Sequence, residues 1–360
     1  MQVRTLESFD ALRSAAPQLA EDSGSDDIFQ TMAWFENLAG QCFAPPARLR
    51  LLLAEDAASA SAVCLPLVSQ GHTLQSLSNY YSSLYGPIGS GDQATVWEAI
   101  CRHLRALDSP AIIDLRPLDA ESIFFRDMLA ALAAAGYWSD SYLCFGNWYL
   151  NVPSNSFRDY FATRSSRLRN NIQRGQRKLD KAGPWQLSIH KETGASLDSA
   201  IADFIAVYER SWKQPEPYPN FIGSLCRMAT AQGWLRLGVL SLQDRPIAAQ
   251  LWLVRRKKAA IYKLAYDQAE SRFSPGSILT AALMEHVIEQ DGVEEVDYLT
   301  GDDDYKKDWM SHRRERRGII AFDPRTMRGL LSGARHFGAR RIRKLMRDRS
   351  SHSTNPELAP

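Results

Sequence analysis

One order of elements occurs twice in this chain, and it restricts the available folds more than any other feature. Residues 48–55, 60–69 and 73–78 read as strands, the last two parted by Gln70-Gly71-His72. A loop rich in Gly, Ser and Tyr covers 79–91. The spacing then predicts a helix over 92–107, with Val96, Ile100 and Leu104 on one face, and a short buried strand at 111–115. The second half repeats the pattern. Strands at 235–242 and 247–254 flank the turn sequence Gln243-Asp244-Arg245-Pro246, and a third at 259–266 follows a solvated basic turn. A helix at 277–290 carries Leu279, Leu283, Met284, Val287 and Ile288 on its apolar face, and a strand at 293–299 closes the unit. Antiparallel strands followed by a crossover helix and one more strand imply a mixed sheet, so the chain reads as α/β of the α+β type.

Two helices precede the second unit, one over 156–182 stopped by Gly183 and one over 195–213. Pro153 and Ser154 interrupt the pattern between the units. The expected domains are therefore 1–152 and 153–324, with a basic helical tail at 325–360 whose end is disordered. A length of 360 residues suits two cores, and 45% hydrophobic with 23% charged residues describes a globular chain. No apolar run approaches the roughly 20 residues that span a bilayer, and the charged N-terminus has no secretory apolar stretch. The expected location is the cytoplasm. The five cysteines are odd in number and form no C-x-x-C, and the seven histidines show no ligand spacing. Small buried hydrophobes, not disulfides or a metal site, are the reading for the cysteines.

Net charge is only +2, yet 164–181 and 313–349 are strongly basic and Asp302 to Asp304 is acidic. Local basic blocks in an even total point to an anionic ligand. Ser274-Pro275-Gly276-Ser277 opens the helix after the third strand of the second unit. Ser suits the cap and Pro the first turn, while Gly leaves backbone N–H groups bare for phosphate. The same residues also make an ordinary capped helix. Asp302-Asp303-Asp304-Tyr305-Lys306 follows the last strand. Clustered carboxylates raise one another's pKa, which suits Asp302 as a general base. Lys306 suits an oxyanion, and Tyr305 can protonate a leaving thiolate. The competing reading is a solvated acidic turn. Arg164, Arg167 and Arg174 line a helix that can clamp phosphates or stay merely solvated. Trp212 and Lys213 stand before Pro215 and Pro217 as a substrate wall, or as core in the case of the Trp.

These residues carry a family resemblance. The basic run Arg164-x-x-Arg167-x-Arg169-x-x-x-x-Arg174 is followed by Tyr208-x-x-Ser211-Trp212-Lys213, Tyr266-Asp267, Ser274-Pro275-Gly276, Asp297-x-x-x-Gly301 and Tyr305-Lys306-x-x-Trp309. In that order they resemble the GNAT-like acetyltransferase 6 family of bacterial polysaccharide-biosynthesis loci and, more distantly, the FemAB aminoacyltransferases. Phe29-Gln30-Thr31-x-x-Trp34 and Ser82-Ser83-Leu84-Tyr85-Gly86-Pro87 extend the likeness to the first half. The resemblance implies two tandem GNAT-like domains with mixed, mostly antiparallel sheets, the second one catalytic. It also implies an acyl-CoA donor held by Tyr266 and 274–277, and a sugar-type or lipid-linked acceptor. The usual GNAT glycine pattern departs here, with Pro275 and Ser277 at its glycine positions. That keeps an aminoacyl-tRNA donor open, as well as a non-catalytic binding protein. No G-x-S-x-G is present, so direct attack by the acceptor is expected. The tail, with Arg328, Arg335, Arg340 and Arg341 among Leu330, Leu331 and Phe337, suits peripheral contact with an anionic membrane.

Overall fold

The computed structural model describes residues 1–21, 24–56, 61–90 and 94–352. Residue 60 of the expected strand 60–69, residue 91 of the loop, residues 92–93 of the expected helix and residues 353–360 of the tail lie outside them. The first half comprises β1 (Gln2–Leu6), α1 (Phe9–Ala15), α2 (Gln18–Glu21), α3 (Met32–Cys42), β2 (Arg48–Asp56), β3 (Ser61–Gln70), β4 (Thr73–Ser76), α4 (Ala94–His103), β5 (Ile112–Asp119), α5 (Ile123–Ala134) and β6 (Trp138–Asn151). The second comprises α6 (Phe157–Ala162), α7 (Ser166–Ala182), β7 (Trp185–His190), α8 (Ala195–Glu209), α9 (Phe221–Ala231), β8 (Leu235–Leu242), β9 (Arg245–Arg255), β10 (Lys258–Tyr266), α10 (Pro275–Glu289), β11 (Glu295–Asp297) and β12 (His312–Phe322), followed by α11 (Met327–His352).

All twelve strands share one sheet, in the order β1-β2-β3-β4-β5-β12-β6-β11-β10-β9-β8-β7. Read inward from either edge, the two halves match. β1 to β5 and β7 to β11 run antiparallel except for the parallel pairs β4–β5 and β10–β11. The duplication read from the sequence is therefore present as two GNAT-like halves of a mixed sheet. What the sequence did not disclose is the exchange at the centre. β12, from the second half, pairs with β5, and β6, from the first half, pairs with β11. β6 and β12 then pair with each other along their length. Each half is closed by the other's last strand.

The helix expected over 156–182 is two helices. Ser165 takes an extended conformation, and its side chain accepts from the Leu168 N–H, starting α7 afresh. Along β9 the side chains alternate between two cores, as a pleated strand requires. Ala248, Trp252 and Val254 face α10, whereas Ala249, Leu251 and Leu253 join the core of α3, α8 and α9. Full burial of each Leu or Ile on α10 contributes about 1.5–3 kcal/mol, which fixes that helix on its sheet face.

A buried ionic cluster sits where the halves meet. Asp297 is 1% exposed and lies within reach of Lys258 at 3.5 Å, Arg316 at 3.7 Å and Arg314. Asn147 of β6 donates to it at 2.6 Å. Burial alone would raise its pKa, but these three cations hold it well below the carboxylate range. Lys258 also reaches Asp27 of the first half at 2.6 Å.

Candidate functional site: two cavities meeting at a split in the sheet

The site begins with a strand that stops early. β11 was expected over 293–299 but pairs with β10 only from Glu295 to Asp297. The Asp297 carboxylate accepts the Leu299 N–H at 2.7 Å, and Leu299 takes a left-handed φ of 56°. For a branched residue this conformation costs on the order of 1–3 kcal/mol and is held by its surroundings. The chain leaves the sheet there, while β10 continues to Tyr266 past a bulge between Ile261 and Lys263. A wedge opens between them.

An outer cavity of about 470 Å³ fills the side of the wedge under α7 and α10. Arg167 and Arg174 reach it from α7, Gly276 and Ser277 from α10, with Trp212, Tyr266, Tyr298 and Tyr305 around the wall. Ser274 stands at the cap position, but its hydroxyl donates to Asn171 at 3.1 Å and caps nothing. The Ser277 and Ile278 N–H groups return to the Ser274 carbonyl. For the Gly276 N–H no partner appears among the described residues. Gly276 sits against Tyr266, where an added Cβ would lie 3.1 Å from the ring. Gly175 lets α7 touch the turn before α10, since a Cβ there would come 2.3 Å from the Phe273 carbonyl oxygen. From below, buried Gln250 donates to the Gly276 carbonyl at 2.9 Å and to Thr280 at 2.8 Å. The helix start, its dipole and two arginines, set against one lining carboxylate, Asp308, leave this cavity positive.

An inner cavity of about 280 Å³ lies beyond it and shares Leu264, Tyr298 and Tyr305. Tyr80, Tyr81 and Ser83 line it from the first half, and Lys213, Lys263, Asp303 and Lys306 from the second. Lys263 bonds Glu216 at 2.7 Å and lies 4.6 Å from the Tyr80 ring centre. Lys306 is 3% exposed. Its Nζ donates to the Thr300 and Gly301 carbonyls and stands 3.3 Å from Asp303. Lys213 lies over the Tyr208 and Trp212 rings. Burial, then the neighbouring Lys263 charge, lowers its pKa to about 8. Tyr305 stands between the cavities, edge-on to Tyr298 at 5.7 Å, and burial pushes its phenol up to about 12.

The structure brings Tyr305, Tyr266, Gly276, Ser277, Arg167, Arg174 and Trp212 to one cavity, and Lys213 and Lys306 to the adjoining one. Ser274 and Pro275 shape the helix start without lining either. Trp212 is 46% exposed against Tyr266, a wall and not core. Two expectations are corrected. Asp302 lines neither cavity: Arg313 grips it at 2.6 Å and Trp148 Nε1 donates at 2.7 Å. Each of the three aspartates has its own cation, Arg313 for Asp302, Lys306 for Asp303 and Lys307 for Asp304. The Arg313 hydrogen bond in fact lowers the Asp302 pKa. Arg164 is also spent elsewhere, on the Trp309 and Met310 carbonyls and Ser311.

Sequence reasoning missed Tyr298, Gln250, Lys263 and Glu216. Lys263 had a signal, being a lone charge inside the apolar strand run 259–266. Gln250 had a similar one, a lone polar amide within the apolar run 247–254. Tyr298 carries no cue, since its role depends on where β11 stops.

Comparisons with known proteins bear on the fold. Residues 166–307 match a family model described as an acetyltransferase (GNAT) domain. No curated protein matches the chain. FemX is similar in structure at 10% identity over 89% of this chain and 97% of the other, with a TM-score of 0.61. The C-terminal domain of a protein assigned as a lysylphosphatidylglycerol synthetase from Agrobacterium fabrum is similar at 13% identity, over 91% and 96%, with a TM-score of 0.56. A conserved protein of unknown function from Bacteroides thetaiotaomicron gives 10%, 89% and 100%, with a TM-score of 0.56. At such identities the likeness is one of fold. That fold is of the GNAT type.

Proposed function

We propose that the chain transfers an acyl group from acyl-CoA, seated in the outer cavity, to an amine or hydroxyl of a sugar-type or lipid-linked envelope precursor in the inner one. The observation that carries this reading is that both cavities meet at Tyr298 and Tyr305, through the split between β10 and the chain leaving β11. A carrier and an acceptor entering from either side would bring carbonyl and nucleophile together there. The Gly276 N–H, Arg167 and Arg174 would hold the carrier's phosphates, with Tyr266 and Trp212 as walls. The acceptor nitrogen or oxygen attacks the thioester carbonyl and gives its proton to Asp303. The carbon–sulfur bond breaks, and the thiolate takes the Tyr305 proton, present because that phenol stays neutral at physiological pH. Lys306 supplies positive charge beside the developing oxyanion and pins the loop that carries Tyr305.

A second reading, an aminoacyl-tRNA donor, is favoured by the exposed arginine face of α7, where Arg167, Arg174 and Arg177 point outward. Calorimetry with acetyl-CoA, a longer acyl-CoA and a charged tRNA separates the two. Acyl-CoA binding that is lost in an Arg167→Glu, Arg174→Glu double variant is expected. Binding of charged tRNA with none of acyl-CoA would replace the first reading with the second. No helix among the described residues is long and apolar enough to cross a membrane. We place the protein in the cytoplasm, with the outward side chains of α11 as its contact with anionic lipid.

A further inference from the structure

The inner cavity holds three lysines, and their charges are unequally answered. Lys263 has Glu216 at 2.7 Å, and Lys306 has Asp303 at 3.3 Å. Lys213 has no carboxylate within ion-pair distance among the described residues. Three cations against two anions leave one positive charge, and it belongs to Lys213. The groups facing its amine from each neighbouring element are Tyr208 of α8, Lys263 of β10, Glu216 of the following loop, and Asp303 and Lys306 of the segment after β11. Two of these five are themselves cations.

A lysine held half-buried beside two others is an unfavourable arrangement unless something negative completes it. The site is also fixed, not floppy. The Lys213 N–H donates to the Ser211 hydroxyl at 3.3 Å, and its ammonium lies 5.9 Å from the Tyr208 ring centre and 5.8 Å from that of Trp212. The carrier's phosphates are not the missing partner, because the helix start and arginines that suit them open on the outer cavity. Tyr80, 68% exposed, lines the same cavity and offers it an aromatic ring, as a sugar would use.

We propose that the inner cavity selects an acceptor bearing an anionic group, a phosphate or a carboxylate on a sugar, with Lys213 as its counter-charge. This rests on the acyl-transfer reading above and narrows its acceptor. Anion binding raises the Lys213 pKa, so affinity is full below about pH 8 and declines as the pH climbs past it.

Calorimetry at pH 7 tests the assignment with two matched pairs: N-acetylglucosamine 1-phosphate against N-acetylglucosamine, and glucuronate against glucose. The charged member of at least one pair should bind about 10- to 100-fold more tightly, as charge-assisted hydrogen bonds do. The pair that shows the preference names the group. Lys213→Met keeps bulk and should abolish the preference, whereas Lys213→Arg should retain most of it. Thermal melts of both variants confirm folding, and acetyl-CoA binding is measured alongside. Equal binding within both pairs, or a preference that survives in Lys213→Met, overturns the proposal. Failure of acetyl-CoA to bind the unaltered protein would instead strike the donor assignment and leave this test standing.

Discussion

Tyr305 is one hydroxyl away from phenylalanine, which makes it the sharpest probe of the chemistry. Tyr305→Phe keeps the ring between the cavities and removes the proton. Turnover should fall by about 100-fold or more, with acyl-CoA affinity unchanged, in steady-state and binding measurements. Asp303→Asn should cost a similar factor, whereas Asp302→Asn should leave the pH–rate profile unaltered, because Asp302 is spent on Arg313 and Trp148. Asp297 tests stability instead. Its folded pKa is depressed, so its contribution is complete above the ordinary carboxylate range and is lost progressively as pH falls from that range toward the depressed value. Asp297→Asn removes the anion shared by Lys258, Arg314 and Arg316, which keep Asp27, Glu295 and Asp119 as partners, and should cost roughly 1–3 kcal/mol in urea unfolding near neutral pH, with a smaller penalty in acid. At this scale the sequence showed residue types and not pairings. The acidic run was visible, but which aspartate faces the cavity depends on Arg313, which is one strand away.

At the scale of elements, the start of α10 separates two influences on one residue. Ser277→Asp adds a negative charge in the first turn, which favours the helix dipole by about 0.3–1 kcal/mol. The same charge faces the phosphates of the carrier. A thermal melt should therefore hold or rise while acyl-CoA affinity drops about 10-fold or more; unchanged affinity would move the donor away from this helix. Strands β2, β3 and β8 to β10 were legible because neighbouring antiparallel strands carry their own alternation and turns. β11 was overread because its end is set by the Asp297 side chain and a left-handed Leu299, which no periodicity reports. The pairing of β6 with β11 and of β12 with β5 was illegible for a related reason: strand alternation shows a strand's faces, not its partners.

On the scale of the molecule, the first turns of α11 dock one face and leave another outward. Gly333 lies on Trp138 and Phe322, and His336 meets Asp140 at 2.9 Å. Met327 and Leu331 are 72% and 64% exposed, with Arg328 and Arg335 also at the surface. Sedimentation with vesicles containing anionic phosphatidylglycerol should bring the protein down, and with neutral phosphatidylcholine should not. Equal recovery from both would remove the lipid contact. The exchange of β6 and β12 has a different consequence, one of timing. As the chain is synthesised from its N-terminus, β5 and β6 are complete long before β12 exists to lie between them. Both wait with open edges until β12 is made, and open edges are where nascent chains pair wrongly. Neither half can finish early and wait for the other, so the ribosome must deliver the chain through β12 before a closed sheet is possible.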